Sequence, residues 1–289
     1  MLSGYISDVE TNETLIGVNV IFSDLKLGTT TNEYGFYSIS LPEGTHQLAV
    51  SYLGFENYFD DITLTQDLRL DLKLNPETAI LDEVIVNENI EKLNLKSPQM
   101  SVNSLAVSTI KKIPAVLGEV DIIKSITLLP GVTNGGEGSS GFNVRGGAAD
   151  QNLILLDEAI IFNSSHLFGF FSVFNPDAIK DIKLFKGGIP SSYGGRVSSV
   201  LNIYQKDGNS NDFKAQGGLG LISSRLLLEG PLEKEKGSFL VGGRSSYVHL
   251  FLPLIESVKD NKAYFYDLNT KLSYKLNDKN NLFLSGYFG

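Results

Sequence analysis

The sequence predicts a mainly β protein built from several segments, and three observations carry this prediction. Glycine, tyrosine and phenylalanine, which suit turns and strands more than helices, number 29, 12 and 17 among the 289 residues. Short apolar runs that alternate with polar residues recur between turn signals along much of the chain. Negative charge is concentrated in residues 1–75, which hold 3 basic and 11 acidic side chains. This charge step indicates a domain boundary near residue 75.

Composition excludes several classes of function. The formal net charge of −9 argues against a nucleic-acid binder, because such proteins carry a basic face. The absence of cysteine removes thiol catalysis, disulfide scaffolds and thiolate-bound metals. The sequence contains no apolar run of 18 residues, so we expect no transmembrane helix. Its first residues lack the basic and apolar regions of a secretion signal, so we expect no signal peptide in this sequence.

Residues 1–75 predict a small β-sandwich. Turn signals at residues 32–35 and 42–44 separate runs in which apolar and polar side chains alternate. Short strands with turns every 8–12 residues are typical of a sandwich. We expect its clearest strands at residues 18–22, 36–41, 46–52 and 68–74.

Residues 76–104 predict a polar linker that contains one short apolar run. This run consists of Leu81, Asp82, Glu83, Val84, Ile85 and Val86. An unpaired extended segment can add as a strand to the sheet edge of another protein. On position alone, a strand of the neighbouring domain is the favoured alternative.

Residues 105–206 predict an α+β domain. Residues 118–129 carry apolar side chains at helical spacing and precede a Pro-Gly stop, which indicates an amphipathic helix. A second, short helix is expected near residues 176–180. The expected strands are residues 142–145, 153–156, 182–185 and 198–204.

Residues 207–289 predict strands of a different kind. Between Tyr264 and Leu276, tyrosine and leucine occupy most even positions, and Asp, Asn, Lys and Ser occupy odd positions. The run is about twice the usual length of a soluble strand. An apolar face that ends in aromatic residues, opposite a polar face, is typical of a transmembrane barrel strand. Residues 277–280 predict a tight turn before the return strand.

No constellation in the sequence predicts an enzyme, a cofactor or a metal site. Residues 136–141 match G-x-G-x-x-G, but a Pro-Gly turn precedes them and a strand follows, so they predict a loop. The adjacent carboxylates Asp157 and Glu158 would point to opposite faces of a strand, which predicts solvated surface. The three histidines lie in separate segments without metal-ligand spacing; they are His46, His166 and His249.

Glycine pairs beside basic residues recur between residues 145 and 196, and ordinary tight turns are the favoured explanation when each pair is taken alone. In their order and spacing, however, these blocks resemble the plug of TonB-dependent outer-membrane receptors of the Bacteroidetes type. Residues 129–132 and 175–179 also fit this pattern. The plug motif carried over from the resemblance comprises Arg145, Gly146, Gly147, Asp157, Lys186, Gly187, Gly188, Tyr193, Gly194, Gly195 and Arg196.

The resemblance extends towards the N-terminus. The first segment is similar to the carboxypeptidase-regulatory-like domain that precedes many such plugs, at residues 17–20, 28–32, 35–37 and 52–55. The run from Leu81 to Val86 then looks like a TonB box in its usual place. The implied organisation is a regulatory-like β-sandwich at 1–75, a linker with the TonB box at 76–104, the plug at 105–206 and the first strands of a partial barrel at 207–289.

The resemblance implies a transporter rather than an enzyme. The plug would block a barrel, and the TonB box would couple it to TonB and the inner-membrane energising complex for uptake of a small ligand. The ligand would be of the siderophore, peptide, cobalamin or glycan class, and no cofactor is implied. The implied location is the outer membrane, with residues 1–104 in the periplasm. Arg145 and Arg196 would pair with acidic groups on the barrel wall.

Two departures from the family pattern refine these expectations. Residues 186–190 lack the Lys-Asp-Ala-Ser-like stretch of SusC-type glycan importers, so a SusD-like lipoprotein partner is not favoured. Residues 212–289 suffice for about four spanning strands, whereas such a receptor needs about 22. We therefore expect a fragment from the N-terminal part of a longer receptor. The alternative is a soluble β-sandwich binding or signalling module with a degenerate plug and no transport.

Overall fold

The computed structural model describes residues 1–77, 102–111, 120–135, 141–167, 169, 171–254, 263–277 and 280–289. The chain divides into two compact units, with the boundary between residues 99 and 100. Strands dominate both units, so the prediction of a mainly β protein is confirmed.

The first unit is a sandwich of two small sheets, as the sequence predicts. Its strands are β1 (Leu2–Asp8), β2 (Asn19–Phe22), β3 (Leu27–Thr30), β4 (Phe36–Ile39), β5 (Gly44–Ser51), β6 (Tyr58–Leu64), β7 (Leu68–Arg69) and β8 (Leu72–Leu74). In one sheet β1 pairs antiparallel with β4 and parallel with β7 and β8. The other sheet is antiparallel in the order β3-β2-β5-β6. Their inward side chains form one core that includes Leu2, Ile6, Val20, Phe22, Tyr37, Leu48 and Val50.

Residues 68–74, expected as one strand, form two short ones. The backbone amide of Tyr5 donates to the Asp71 carboxylate at 2.9 Å, in place of a ladder carbonyl. The carbonyl of Leu70 accepts a hydrogen bond from the Tyr37 hydroxyl at 2.8 Å. Gly4 permits this close approach, because a Cβ there would lie 1.8 Å from the Leu70 oxygen. Side-chain bonds therefore interrupt the strand between β7 and β8.

His46 on β5 joins two turns of the sandwich. Its Nδ1 lies 2.7 Å from Oδ2 of Asp24, and its Nε2 lies 3.0 Å from the carbonyl oxygen of Pro42. Because a carboxylate and a carbonyl both accept, both ring nitrogens donate only in the imidazolium form. The hydrogen bond to Asp24, followed by the one to Pro42, raises the pKa of His46 above its usual value.

The second unit contains two larger sheets and little helix. Its elements are β9 (Val102–Ala106), α1 (Val107–Ile110), α2 (Ile122–Ile126), β10 (Val132–Asn134), β11 (Phe142–Val144), β12 (Asn152–Leu156), β13 (Ala159–Ile160), β14 (Ser165–His166), β15 (Phe171–Ser172), β16 (Ile179–Phe185), β17 (Ser199–Gln205), β18 (Lys214–Leu219), β19 (Ser223–Glu233), β20 (Gly237–Ser246), β21 (Tyr266–Asn277) and β22 (Asn280–Phe288). We call β13-β12-β17-β16-β9 the mixed sheet, because only its β12–β17 pair is parallel. We call the antiparallel sheet β18-β19-β20-β21-β22 the meander sheet.

The mixed sheet and the short helices share one apolar core. β12, β16 and β17 contribute side chains to it, α1 contributes Val107 and Ile110, and α2 contributes Ile122 and Ile126. The N-cap of α2 is Asp121, whose Oδ1 accepts the backbone N–H of Lys124 at 3.0 Å. This cap explains why the helix predicted over 118–129 has a described helical part of only Ile122–Ile126; residues 112–119 lie outside the described residues.

The prediction of a short helix near residues 176–180 is wrong. Asn175 accepts the backbone N–H of Asp177 through its side-chain oxygen at 3.0 Å, and its carbonyl accepts that of Ala178 at 3.1 Å. Such an Asx turn competes with helix formation. The chain then enters β16 at Ile179.

Candidate functional site

The meander sheet has a polar face that is buried and an apolar face that is exposed. In β21, Leu268 and Leu272 are 42% and 41% exposed, whereas Asn269 and Lys271 are 1% and 7% exposed. The alternation predicted over residues 264–276 is therefore present, with the apolar side outward. This arrangement is the reverse of a sheet in a water-soluble protein and is typical of strands whose outer face contacts lipid.

Lys271 is the centre of the first of three charged clusters on the buried face of the meander sheet. Its Nζ donates to the Gln205 carbonyl at 2.9 Å and lies 3.0 Å from Oδ1 of Asp207 and 3.3 Å from Oδ2 of Asp157. Lys180 lies 2.7 Å from the other oxygen of Asp207. Asp157 also accepts the backbone N–H and the side-chain amide of Gln205, at 2.9 and 3.2 Å. This cluster therefore connects the ends of β12 and β17 to β21.

The charge balance of this cluster keeps the Asp207 carboxylate ionised. Burial raises the pKa of Asp207, but the ammonium groups of Lys180 and Lys271 lower it further, to about 2. A buried carboxylate with two cationic partners remains negative at neutral pH. The cluster is therefore an ion network rather than a set of neutral hydrogen bonds.

Asp177 forms the second cluster. Its Oδ1 lies 2.7 Å from Nζ of Lys111 and accepts from the Gln216 amide at 3.2 Å, and its Oδ2 lies 2.6 Å from Nε of Arg225. Burial raises the pKa of Asp177, but the hydrogen bonds from Lys111 and Arg225 lower it below its usual value. Asp177 thus joins the turn before β16 to β18 and β19.

Arg244 and Asp267 form the third cluster. The guanidinium donates from Nε and Nη2 to Oδ2 of Asp267 at 3.0 and 2.6 Å, and Nη2 also donates to the carbonyl of Ser172 at 2.6 Å. Nε2 of His166 lies 3.2 Å from the same Asp267 oxygen. The ring of Phe265 stacks on His166 with the two centroids 4.5 Å apart. Cζ of Arg244 lies 5.1 Å from the centroid of the Phe265 ring.

Among the plug-motif residues expected from the sequence, Asp157 is the one that takes part in these clusters. Arg145 and Arg196 are exposed, and Arg196 donates to the carbonyl of Gly195 at 3.3 Å. Lys186 donates to the carbonyl of Pro130 at 2.9 Å. The described ion pairs between the two sheets therefore use residues other than the two arginines.

The glycine blocks shape the loops between strands. Gly146 has φ +84°, a conformation that favours glycine. A Cβ on Gly147 would lie 2.2 Å from Oγ of Ser198, so these two loops approach closely. The other glycines of the motif, Gly187, Gly188, Gly194 and Gly195, lie in the loop between β16 and β17, and Tyr193 in that loop accepts from the Asn202 amide at 3.0 Å. The run from Leu81 to Val86 lies outside the described residues.

Sequence reasoning missed most residues of the clusters. The polar odd positions of β21 identified a polar face. The spacing within one strand, however, does not show which side chains of other elements contact that face. The expectation that Asp157 is solvated surface is wrong. The chain leaves β12 at Leu156, and Asp157 has φ +46°, so strand geometry no longer sets the direction of its side chain. The missed residues are Lys111, Asp177, Lys180, Asp207, Arg225, Arg244, Asp267 and Lys271.

The described ranges also lack two kinds of feature. Within them, no helix is long and apolar enough to cross a membrane. The same ranges contain no group of three or more histidine, aspartate or glutamate side chains that could hold a metal ion.

Comparison with protein families defines the class of this protein. Residues 2–86 match the CarboxypepD_reg-like domain, and residues 95–200 match the TonB-dependent Receptor Plug Domain. The chain is therefore similar to the TonB-dependent receptors. The first match extends across the segment from Leu81 to Val86, and the second includes the mixed sheet up to Val200 in β17.

Two curated relatives carry the family name. TonB-dependent receptor P39 of Formosa agariphila is 29% identical over 201 residues, which are 66% of this chain and 18% of that protein. TonB-dependent receptor SusC of Bacteroides thetaiotaomicron is 25% identical over 239 residues, which are 77% of this chain and 22% of that protein. The chain thus spans about a fifth of the length of these relatives.

Solved structures of lower similarity include two siderophore receptors. The siderophore receptor PirA of Acinetobacter baumannii is 21% identical, with a TM-score of 0.47 over 66% of this chain and 31% of that one. The ferric enterobactin receptor PfeA of Pseudomonas aeruginosa is 20% identical, with a TM-score of 0.47 over 65% of this chain and 32% of that one.

Proposed function

We propose that this chain acts as the N-terminal region of a receptor that takes up a ligand across the outer membrane. In this proposal the plug domain closes a barrel whose first strands are the meander sheet. The main observation behind this proposal is the two-sided meander sheet. Its polar side chains form ion clusters with the plug domain, and its apolar side chains face outward. The match to the TonB-dependent Receptor Plug Domain supports the same role.

We assign energy coupling to the segment from Leu81 to Val86. Three β-branched side chains end this segment, at positions 84 to 86. An extended segment of this kind can pair with a free sheet edge of TonB. The alternative, a strand of the first unit, stays open, because the regulatory-like match includes this segment.

The plug motif supports the gating role in this proposal. Asp157 joins the plug domain to β21 through Lys271, and the glycine blocks allow closely approaching loops. The remaining motif residues, including Arg145 and Arg196, stay candidates for contacts during gating. The ligand class stays open among siderophore, peptide, cobalamin and glycan, and the SusC relative makes a SusD-like lipoprotein a partner to test.

Cysteine cross-linking in cells tests the coupling. The chain has no cysteine, so Val84→Cys provides a single reactive site, and Asn94→Cys provides a matched control in the same linker. We expect Val84→Cys to form a disulfide with a cysteine placed on a strand edge of TonB, and Asn94→Cys not to do so. Equal cross-linking at both positions, or none at Val84, contradicts strand pairing by this segment.

Location and closure are tested separately. An antibody against residues 1–75 should detect the protein in the outer-membrane fraction of cells that express the complete gene. Lys271→Met should loosen the plug and sensitise these cells to vancomycin, a large antibiotic that an intact outer membrane excludes. Lys275→Met, at an exposed position on the same strand, is the control. A soluble protein, or equal resistance in both variants, argues for the non-transporting alternative.

A further inference from the structure

Asp177 joins parts of the second unit that are far apart in sequence. Lys111 directly follows α1, near the beginning of the second unit, whereas Gln216 and Arg225 lie on β18 and β19. All three side chains bond to the Asp177 carboxylate at 2.6 to 3.2 Å. The Asp177 side chain is 3% exposed. One buried carboxylate therefore connects the start of the plug domain to the meander sheet.

β9, which directly precedes α1, is weakly held. It is the last strand of the mixed sheet and pairs with β16 alone. Val102, Asn103 and Leu105 on this strand are only partly buried. Segments with few buried contacts open at low free energy. A pull from the preceding linker acts on β9 first and breaks its ladder one pair at a time.

α1 is held in a different way. Val107 and Ile110 are 8% and 1% exposed and belong to the core of the mixed sheet. Lys111 adds its ion pair with Asp177. To remove this turn, two apolar side chains must enter water and a buried carboxylate must lose one of its cations, and both changes are unfavourable. Extraction therefore meets a much higher resistance at Val107 than along β9.

We propose that Asp177 is a positioning residue that sets where extraction of the plug stops. β9 detaches, while the chain from Val107 onward stays docked on the meander sheet through Lys111, Asp177 and Arg225. This inference rests on the proposed function, because TonB supplies the pull through the segment from Leu81 to Val86. When β9 leaves, Asp177 keeps its bonds to both strands, so the rest of the mixed sheet stays in place.

Single-molecule pulling on the complete protein in outer-membrane vesicles tests this assignment. A Val86→Cys handle attaches the chain to the probe; these 289 residues contain no other cysteine, and serine replaces any cysteine in the rest of the complete protein. We expect a first event of low force that releases the five residues of β9, about 17 Å of extended chain. A second event of higher force should follow, beginning at Val107.

Variants identify the residue that is responsible. Asp177→Asn should lower the force of the second event to the level that burial of Val107 and Ile110 maintains. Lys111→Gln leaves Asp177 bonded to Arg225 and Gln216, and should lower the second force without shifting its position. Asp150→Asn, at an exposed carboxylate of the plug domain, should change neither event. Lys111→Gln keeps the test valid if Asp177→Asn fails to fold.

Two results overturn the inference. One is an equal second force in the Asp177→Asn, Lys111→Gln and Asp150→Asn proteins. The other is a first event in the native protein that extends beyond Lys111. The pulling experiment needs neither TonB nor a ligand, so it is independent of the proposed function. Absence of the Val84 cross-link would remove the TonB coupling and leave the mechanical stop measurable.

Discussion

The sandwich of the first unit and the meander sheet use the same two-residue alternation in opposite senses. In the sandwich, Val20, Leu48 and Val50 are buried and polar side chains face outward. In the meander sheet, Asn269 and Lys271 are buried and Leu268 is exposed. Alternation therefore identifies a two-sided sheet but does not show which side faces inward. The partner of each face decides this, because buried polar groups need bonds that apolar neighbours cannot supply.

The largest effect is expected at the buried pair of the meander sheet. Arg244→Met leaves the Asp267 carboxylate, whose side chain is 0% exposed, without its closest cation and should lower the free energy of unfolding by about 3–5 kcal/mol. Chemical denaturation in detergent, followed by circular dichroism, measures the loss. The double variant Arg244→Met/Asp267→Leu removes both charges and should recover part of it. A double variant that is less stable than the single one would contradict this view of the polar face.

The matching test in the sandwich removes an apolar side chain. Leu48 is 1% exposed, and Leu48→Ala should lower the free energy of unfolding of the first unit by about 2–5 kcal/mol. Leu272→Ala, on the exposed face of the meander sheet, is the matched control and should have a much smaller effect in detergent. Urea titrations of both variants provide the comparison. Equal losses of unfolding free energy in Leu48→Ala and Leu272→Ala would contradict the view that the sandwich buries its apolar face and the meander sheet exposes it.

The sandwich should also respond to pH through His46. Its pKa is raised in the folded state, so its contribution is complete below the unfolded pKa of about 6.5 and is lost as the pH rises through the folded pKa. The urea midpoint of the first unit should therefore fall as the pH rises above about 6.5. His46→Gln should remove this slope. A native midpoint that does not change over this range would contradict the imidazolium assignment.

The smallest effect is expected at an exposed ion pair of the sandwich. Arg69 and Asp71 lie 2.9 Å apart with side chains 46% and 50% exposed. Exposed pairs contribute about 0–1 kcal/mol, so Arg69→Met should change the unfolding free energy by no more than about 1 kcal/mol. The same denaturation measurement serves here. A larger loss would show that burial does not separate strong from weak ion pairs in this protein.

Strand alternation predicted much of the fold. The runs around Val20, Leu48 and Leu155 became strands, and the run from Tyr264 to Leu276 corresponds to β21. The short helix near Pro176 was wrong because the side chain of Asn175 forms a local turn. Such a hydrogen bond between neighbouring residues depends on the rotamer of one side chain, so hydrophobic periodicity does not predict it.

The charged clusters were harder to predict than the strands. Asp177 and Arg225 are 48 residues apart, and His166 and Asp267 are 101 apart. Such pairs depend on how two sheets stack, and the local pattern of a single sequence does not specify this stacking. Asp157 came from a family motif, whereas its partner Lys271 lies on a strand that the motif does not include.

Buried ion pairs such as Lys271–Asp157 join the mixed sheet to the meander sheet, and this has a thermodynamic consequence. Separating polar surfaces exposes little hydrocarbon to water, so the heat-capacity change of plug movement should be small. The enthalpy and entropy of that movement should then vary little with temperature. Since buried ion pairs are screened much less than exposed ones, salt should weaken the contact only after water has entered between the sheets. The free energy of plug movement should therefore change almost linearly between cold and warm surroundings, without the curvature that exposure of apolar surface produces.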